Sequence, residues 1–342
     1  VAYSQVPVVA GILYGIKPAV TAIVVQATYR IGSRTLNNPL LWSVAVAAFV
    51  AMFALHVPFP LIVIAAAIVG YAGGRIAPKS FQVGSGHGEA RKSAGPAVID
   101  DDTPTPSHAV FSASRTLKIL AVGAALWLLP MVLLTSLLGW QHTLTQMGWF
   151  FTKAALLTFG GAYAVLPYVY QGAVLQYQWL TPAQMIDGLA LGETTPGPLI
   201  MVVAIVGFIG GSVSADVQTL FGDNGMFLGA AAAAALVTWF TFLPSFLFIF
   251  AGGPLVETTH NDLKFTAPLT AITAAVVGVI LNLALFFGYH VLWPQGIGGQ
   301  FEWISAAMTL AAVAALFWFK RTVVQVIIAS AVVGLLVRLL LA

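Results

Sequence analysis

Long apolar runs separated by short polar breaks make up most of the chain, and one polar stretch interrupts them before residue 115. Val6 to Tyr29 is apolar but carries Pro7, Gly11, Gly15 and Pro18, which predicts the tail of one helix followed by a second, ending at Arg30 and Arg34. Leu40 to Leu55 and Pro58 to Gly74 are joined only by His56 and Val57, a link short enough to force a tight helical hairpin. Further runs follow at Leu117 to Gly139, Met226 to Ala251, Leu269 to Leu292, Trp303 to Phe319 and Val323 to Leu341. A helix rises about 1.5 Å per residue through a hydrocarbon layer roughly 30 Å thick, so about 20 apolar residues cross it. With an unusual region from Leu144 to Gly211, the pattern predicts about eight to ten membrane segments.

From Arg75 to about Ser114 the composition changes: Gly84, Gly86, Gly88, Pro96, Pro104 and Pro106 surround an acidic run, Asp100 to Asp102, with almost no apolar periodicity. This predicts a disordered linker whose carboxylates stay solvated. The chain then divides into a partial first repeat over 1–74, a polar linker over 75–115 and a second repeat over 116–342.

Composition narrows the function. Hydrophobic residues are 59% of the chain and charged residues 7%, against roughly 25% charged in a soluble domain; a soluble fold could not hide that surface. There is no cysteine, and the six histidines are scattered without metal-ligand spacing, so no metal and no cofactor is expected. The net charge of +3 is small, and the basic residues sit near helix ends, which points to a lipid bilayer as partner and away from nucleic acid. The opening Val-Ala-Tyr lacks an initiator Met and a basic n-region, so the chain reads as carrying no signal peptide and as a fragment or trimmed product.

Cytoplasmic loops are enriched in Lys and Arg. Arg30, Arg34, Arg75 and the linker share one side if the 40–55 and 58–74 segments each cross once, and that side is read as cytoplasmic. Lys320 and Arg321 occupy between the last two helices the place that His56 and Val57 hold in the first hairpin. Residues 17–26 align with 273–282, each followed by a two-helix hairpin, with Gly70 matching Gly334. The basic loop precedes the hairpin in one copy and forms its turn in the other, so the copies should be inverted, as in secondary transporters with midplane sites. Arg338, at the far end of the last helix, runs against this assignment. The fold class expected is all-α: a polytopic transmembrane helical bundle with inverted internal repeats and broken or re-entrant helices.

The chemistry should lie between Lys153 and Gly211. Pro196-Gly197-Pro198 must break a helix, because proline removes a donor and clashes with the preceding turn. Broken backbone at membrane depth is tolerable only where protein or a water-lined cavity satisfies it. Pro198 suits the first turn of a helix running through Leu199 to Gly211. That helix start would offer N–H groups and a positive dipole end to an anion, with Thr194 and Thr195 adding hydroxyls. Gly160 and Gly161 would allow a second backbone approach, or a second helix start aimed at the same point. Lys153 could attract a dianion, and Glu193 could couple transport to protons. Lys17 and Asn282 are secondary anion-site candidates. Each has a structural alternative: close packing for Gly160-Gly161, a mere kink for Pro-Gly-Pro, snorkelling for Lys153, and a helix-end partner for Glu193. Thr181 and Pro182 read as an N-cap and first helical position, and Asp187 as structural.

Phe159 to Pro167 with Asp187 to Pro198 resembles the C-terminal repeat of the chromate ion transporter family, and Tyr14 to Val20 with Val57 to Leu61 resembles the later part of that family's N-terminal repeat. The resemblance implies a two-repeat, multi-pass inner-membrane protein that exports chromate, a tetrahedral oxyanion, and confers chromate resistance. It carries the family's signature stretches onto Phe159, Gly160 and Gly161 and onto Pro196, Gly197 and Pro198. The family's long form has an equivalent pair of stretches in its first repeat, and nothing before Lys17 contains one. Sulfate or another oxyanion is the rival substrate. A membrane-embedded enzyme is disfavoured, since the chain has no cysteine, no clustered histidines and no conspicuous acid pair in the membrane.

Overall fold

A computed structural model describes residues 6–81, 112–158, 161–195, 197–253 and 263–341. Every regular element among them is helical. Helix α1 (Pro7–Thr35) is continuous, not the two pieces expected. Pro18 costs it one backbone donor, but tight surroundings hold the helix together: Ile16, Ala19, Val20, Ala22 and Ile23 are all buried. Helix α2 (Pro39–Phe53) starts where the Asn38 side chain accepts the Leu41 N–H at 3.0 Å. Then come α3 (Phe59–Ile76), the short α4 (Pro78–Phe81) and α5 (Ala113–Leu138). The stretch expected as a linker is therefore helical at both ends; Asp100 to Asp102 and the prolines near them lie outside the described residues.

Six helices among the described residues are long and apolar enough to cross a membrane: α1, α3, α5, α11 (Gly225–Leu247, extended by a π-helical turn Phe248–Gly252), α12 (Leu263–Leu292) and α14 (Val323–Leu341). Helices α2 and α13 (Trp303–Phe317) are shorter and apolar. Large side chains on α5 such as Leu117, Leu129 and Leu137 are about 70% exposed (69%, 70% and 71%). Lipid tails make that exposure harmless, whereas water would not.

Helices α1 and α12 form the centre, and the contacts around them repeat with a twist. Helix α1 packs on α13 and α14, while α12 packs on α2 and α3. Aligning 17–26 with 273–282 pairs Gly11 with Ala267, Gly15 with Ala271, Thr21 with Val277 and Gly32 with Gly288. Gly334 abuts Gly15 and Gly11, while its mate Gly70 abuts Ala271 and Ala267. Gly32 faces Val277, and Gly288 faces Thr21. Each contact thus maps onto its counterpart when the two units exchange, so the equivalent helices run antiparallel about a pseudo-twofold axis.

The hairpin turns match bond for bond. His56 and Lys320 both adopt left-handed backbone, with φ of 53° and 49°. The Val57 N–H reaches Ala51 O at 3.0 Å, and the Arg321 N–H reaches Ala315 O at 3.0 Å. This six-residue return satisfies carbonyls that a helix end would otherwise leave open.

Candidate functional site

Between α5 and α11 the chain forms two hairpins of half-length helices. Helix α6 (Thr143–Leu156) is followed by α7 (Ala162–Tyr170), which continues as a π-helical turn over Gln171–Gln176. Helix α8 (Pro182–Thr194) is followed by a 3-10 turn, Leu199–Met201, and α9 (Val202–Val213). Limbs of 14 and 13 residues rise only about 20 Å each, too little to cross roughly 30 Å of hydrocarbon. Phe150 stacks on Tyr168 at 4.8 Å, which places α6 and α7 side by side. Gly188 faces Ile205 and Gly192 faces Val202, so α8 and α9 are likewise antiparallel.

Both hairpins share a base. Met147 and Trp179 converge on Gly210. The short helix α10 (Ala215–Thr219) supplies Asp216, whose carboxylate accepts the Thr143 N–H at 2.7 Å and the Thr143 hydroxyl at 3.0 Å. Burial pushes the Asp216 carboxyl up, but these hydrogen bonds outweigh it and hold the group below the usual carboxylate range. Thr181 begins α8 with a capping box, accepting the Gln184 N–H at 3.3 Å while the Gln184 side chain accepts the Thr181 N–H at 2.9 Å.

The tips meet. The Tyr163 hydroxyl, in the first turn of α7, donates to Glu193 in the last turn of α8. Helix α7 also packs on the Leu199–Met201 turn. The Arg30 guanidinium of α1 lies within electrostatic range of both Tyr163 and Glu193. Gly161 caps α7 with φ of 108°, a conformation open to glycine and strained for other residues, so a second helix does start there.

One expectation changes. The Thr195 N–H is spent on Leu191 O at 3.1 Å, closing α8, and its hydroxyl donates to the same oxygen at 2.7 Å. Pro198 precedes the 3-10 turn instead of opening an α-helix. Among the described residues, the backbone donors left at this tip are the N–H groups of Gly197, Leu199 and Ile200, since prolines have none and a helix's first turn lacks intrahelical acceptors. Thr194 ends α8. Phe159, Gly160 and Pro196 lie outside the described residues.

The charged candidates are spread out. The Lys153 ammonium sits over the Trp149 ring, 5.7 Å from its centre. Lys17 is ion-paired with Asp187 at 3.3 Å, joining α1 to α8. Asn282 lines a separate cavity with His56 and Gln171. Sequence reasoning gave no role to Tyr163 or Gln171 and used Arg30 only for orientation. Their contacts bridge distant segments, for which a single sequence holds no local signal.

The family profile described as "Chromate transporter" matches residues 1–71 and 145–335. A chromate transport protein of Cupriavidus metallidurans is 31% identical over 58% of this chain and 43% of its own length. One from Pseudomonas aeruginosa is 29% identical over 78% of this chain and 52% of its own length. The chain thus spans about half the length of these curated relatives. No solved structure matches it.

Proposed function

The chain belongs to the chromate transporter family, and on that premise we propose that the intact protein exports chromate across the inner membrane as a secondary active carrier. The observation that supports this most is the meeting of the start of α7 with the end of α8 and the 3-10 turn that follows it, at the tips of two half-length hairpins held by the Tyr163–Glu193 hydrogen bond. A tetrahedral dianion offers only acceptors, and it would take N–H groups from Gly197, Leu199 and Ile200 on one side and from the start of α7 beyond Gly160 and Gly161 on the other. Arg30, and Lys153 at the depth of the tips, add positive potential. Peptide donors bind an anion without a full countercharge, which lets it leave again.

Glu193 is the group we assign to coupling. Its carboxylate competes with the anion for the same positive ends, so protonation would favour loading and ionisation would favour release. The two units then alternate access about their pseudo-twofold axis.

Cells expressing the intact protein should accumulate less chromate than empty cells and tolerate more of it. Equal accumulation would overturn export. Sulfate has the same shape and charge, so competition between the two anions in proteoliposomes decides the preference: sulfate displacing chromate at equal concentration would make the carrier a general oxyanion permease.

A further inference from the structure

Away from the tips, a cavity of about 430 Å³ lies between the α2–α3 turn, α12 and the π-helical end of α7. Four of its lining side chains, His56, Gln171, Gln176 and Asn282, carry N–H donors, and none of its lining residues carries a carboxylate. Gln171 accepts the Phe59 N–H through its oxygen at 3.1 Å, which leaves its NH2 group to serve the cavity. Among the described residues, the side chains of His56, Gln176 and Asn282 make no hydrogen bond to protein. The π turn explains why two glutamines serve one space. Residues five apart on an α-helix face different ways, whereas i→i+5 bonding brings Gln171 and Gln176 to the same side.

The pseudo-twofold gives this cavity a counterpart. His56, Asn282 and Phe286 correspond to Lys320, Gln26 and Arg30. Met52, which lines the cavity, corresponds to Leu316, whose carbonyl accepts from the Gln26 amide at 3.5 Å. The two places lie on opposite faces of the molecule, one carrying two permanent cations and the other a histidine and amides.

We propose that the cavity is a second oxyanion station, the mouth of the path on the face away from the polar linker, which holds a tetrahedral dianion through amide and imidazole N–H donors. The proposal rests on the transport reading. Helix α7 joins the two stations, since Gly161 at the tip and Gln171 at the cavity are about 15 Å apart along the helix. The basic mouth at Arg30 and Lys320 gathers the anion, and the mouth at His56 and Asn282, which has no Lys or Arg in its lining, holds it weakly enough to let it go.

The test uses membrane vesicles of both orientations carrying the intact protein, with labelled chromate presented from one face at a time. Asn282→Leu removes the amide at nearly constant shape. His56→Gly removes the ring and also suits the left-handed backbone there, so it should not disturb folding. Each should raise the half-saturation concentration on the face away from the linker about tenfold, the loss expected for one hydrogen bond to a charged group, and leave the linker-face value unchanged. If the unaltered protein moves no chromate, the transport reading fails. If it does move chromate and both variants keep the unaltered half-saturation on that face, this inference alone fails.

Discussion

The crossing of α1 with α14 and the meeting of the hairpin tips both depend on glycine, for opposite reasons. A Cβ on Gly334 would run into the backbone of Gly15, and one on Gly70 would stand 2.6 Å from Ala267 O. At Gly197 an added Cβ would meet nothing within 4 Å. The first glycines let backbones touch, which is how helices associate where lipid removes the hydrophobic drive. Gly197 keeps a space open. Sequence alone cannot separate the two, because absence of a side chain looks the same in both.

The comparison breaks most visibly at Gly197. Gly197→Trp should leave membrane abundance unchanged, since the backbone there is not left-handed, and should reduce chromate transport in cells to the empty-cell level. Retained transport would remove the tips from the path. Gly334→Leu should do the reverse, costing about 3 kcal/mol or more through overpacking, read as a lower thermal midpoint in detergent. Transport per folded molecule should survive, and an unchanged midpoint would mean that α1 and α14 do not approach closely.

The ion pair sharpens the contrast between holding and binding. Lys17→Met or Asp187→Asn alone should destabilise by about 1–3 kcal/mol, less than for a fully buried pair because both side chains are partly exposed. The double variant should recover most of the loss in a mutant cycle. If Lys17 instead serves the anion, Lys17→Met will weaken chromate affinity and the double variant will not restore it. The smallest effect is expected at the hairpin base. Asp216→Asn should cost at most about 1 kcal/mol near neutral pH. Because the folded carboxyl titrates below its ordinary value of about 3.9, its contribution is complete above that value and disappears as pH falls through the folded pKa. Unfolding followed from pH 7 to pH 3 should therefore show the variant and parent converging at the acid end; a constant gap would assign the loss to shape and not charge.

Much of the architecture was legible from the residues. Apolar run lengths placed α5, α13 and α14 to within about four residues and α12 with its start six residues late, and the short link at His56 and Val57 forced the hairpin. Thr181 with Pro182 announced the start of α8. Pro18 misled, because proline's local cost is small against the packing of a helix buried on most sides. The two interruptions around Gly161 and Gly197 were readable, but their form was not: nothing local distinguishes a broken rod from a chain that doubles back. That distinction lies in contacts such as Phe150 with Tyr168 and Tyr163 with Glu193. The pairing of Lys17 with Asp187 was equally hidden, since each charge had a local explanation of its own.

The shortness of the hairpin limbs has an electrical consequence. Limbs of about 20 Å fall short of a roughly 30 Å layer; with water filling the remaining depth, the voltage across the membrane would fall over the thinner part. The same potential would then give a field about half again as steep across that part. On the proposed transport reading, a doubly charged ion crossing that thickness would exchange about 4.6 kcal/mol for each 100 mV, and nearly all of it over these two short loops.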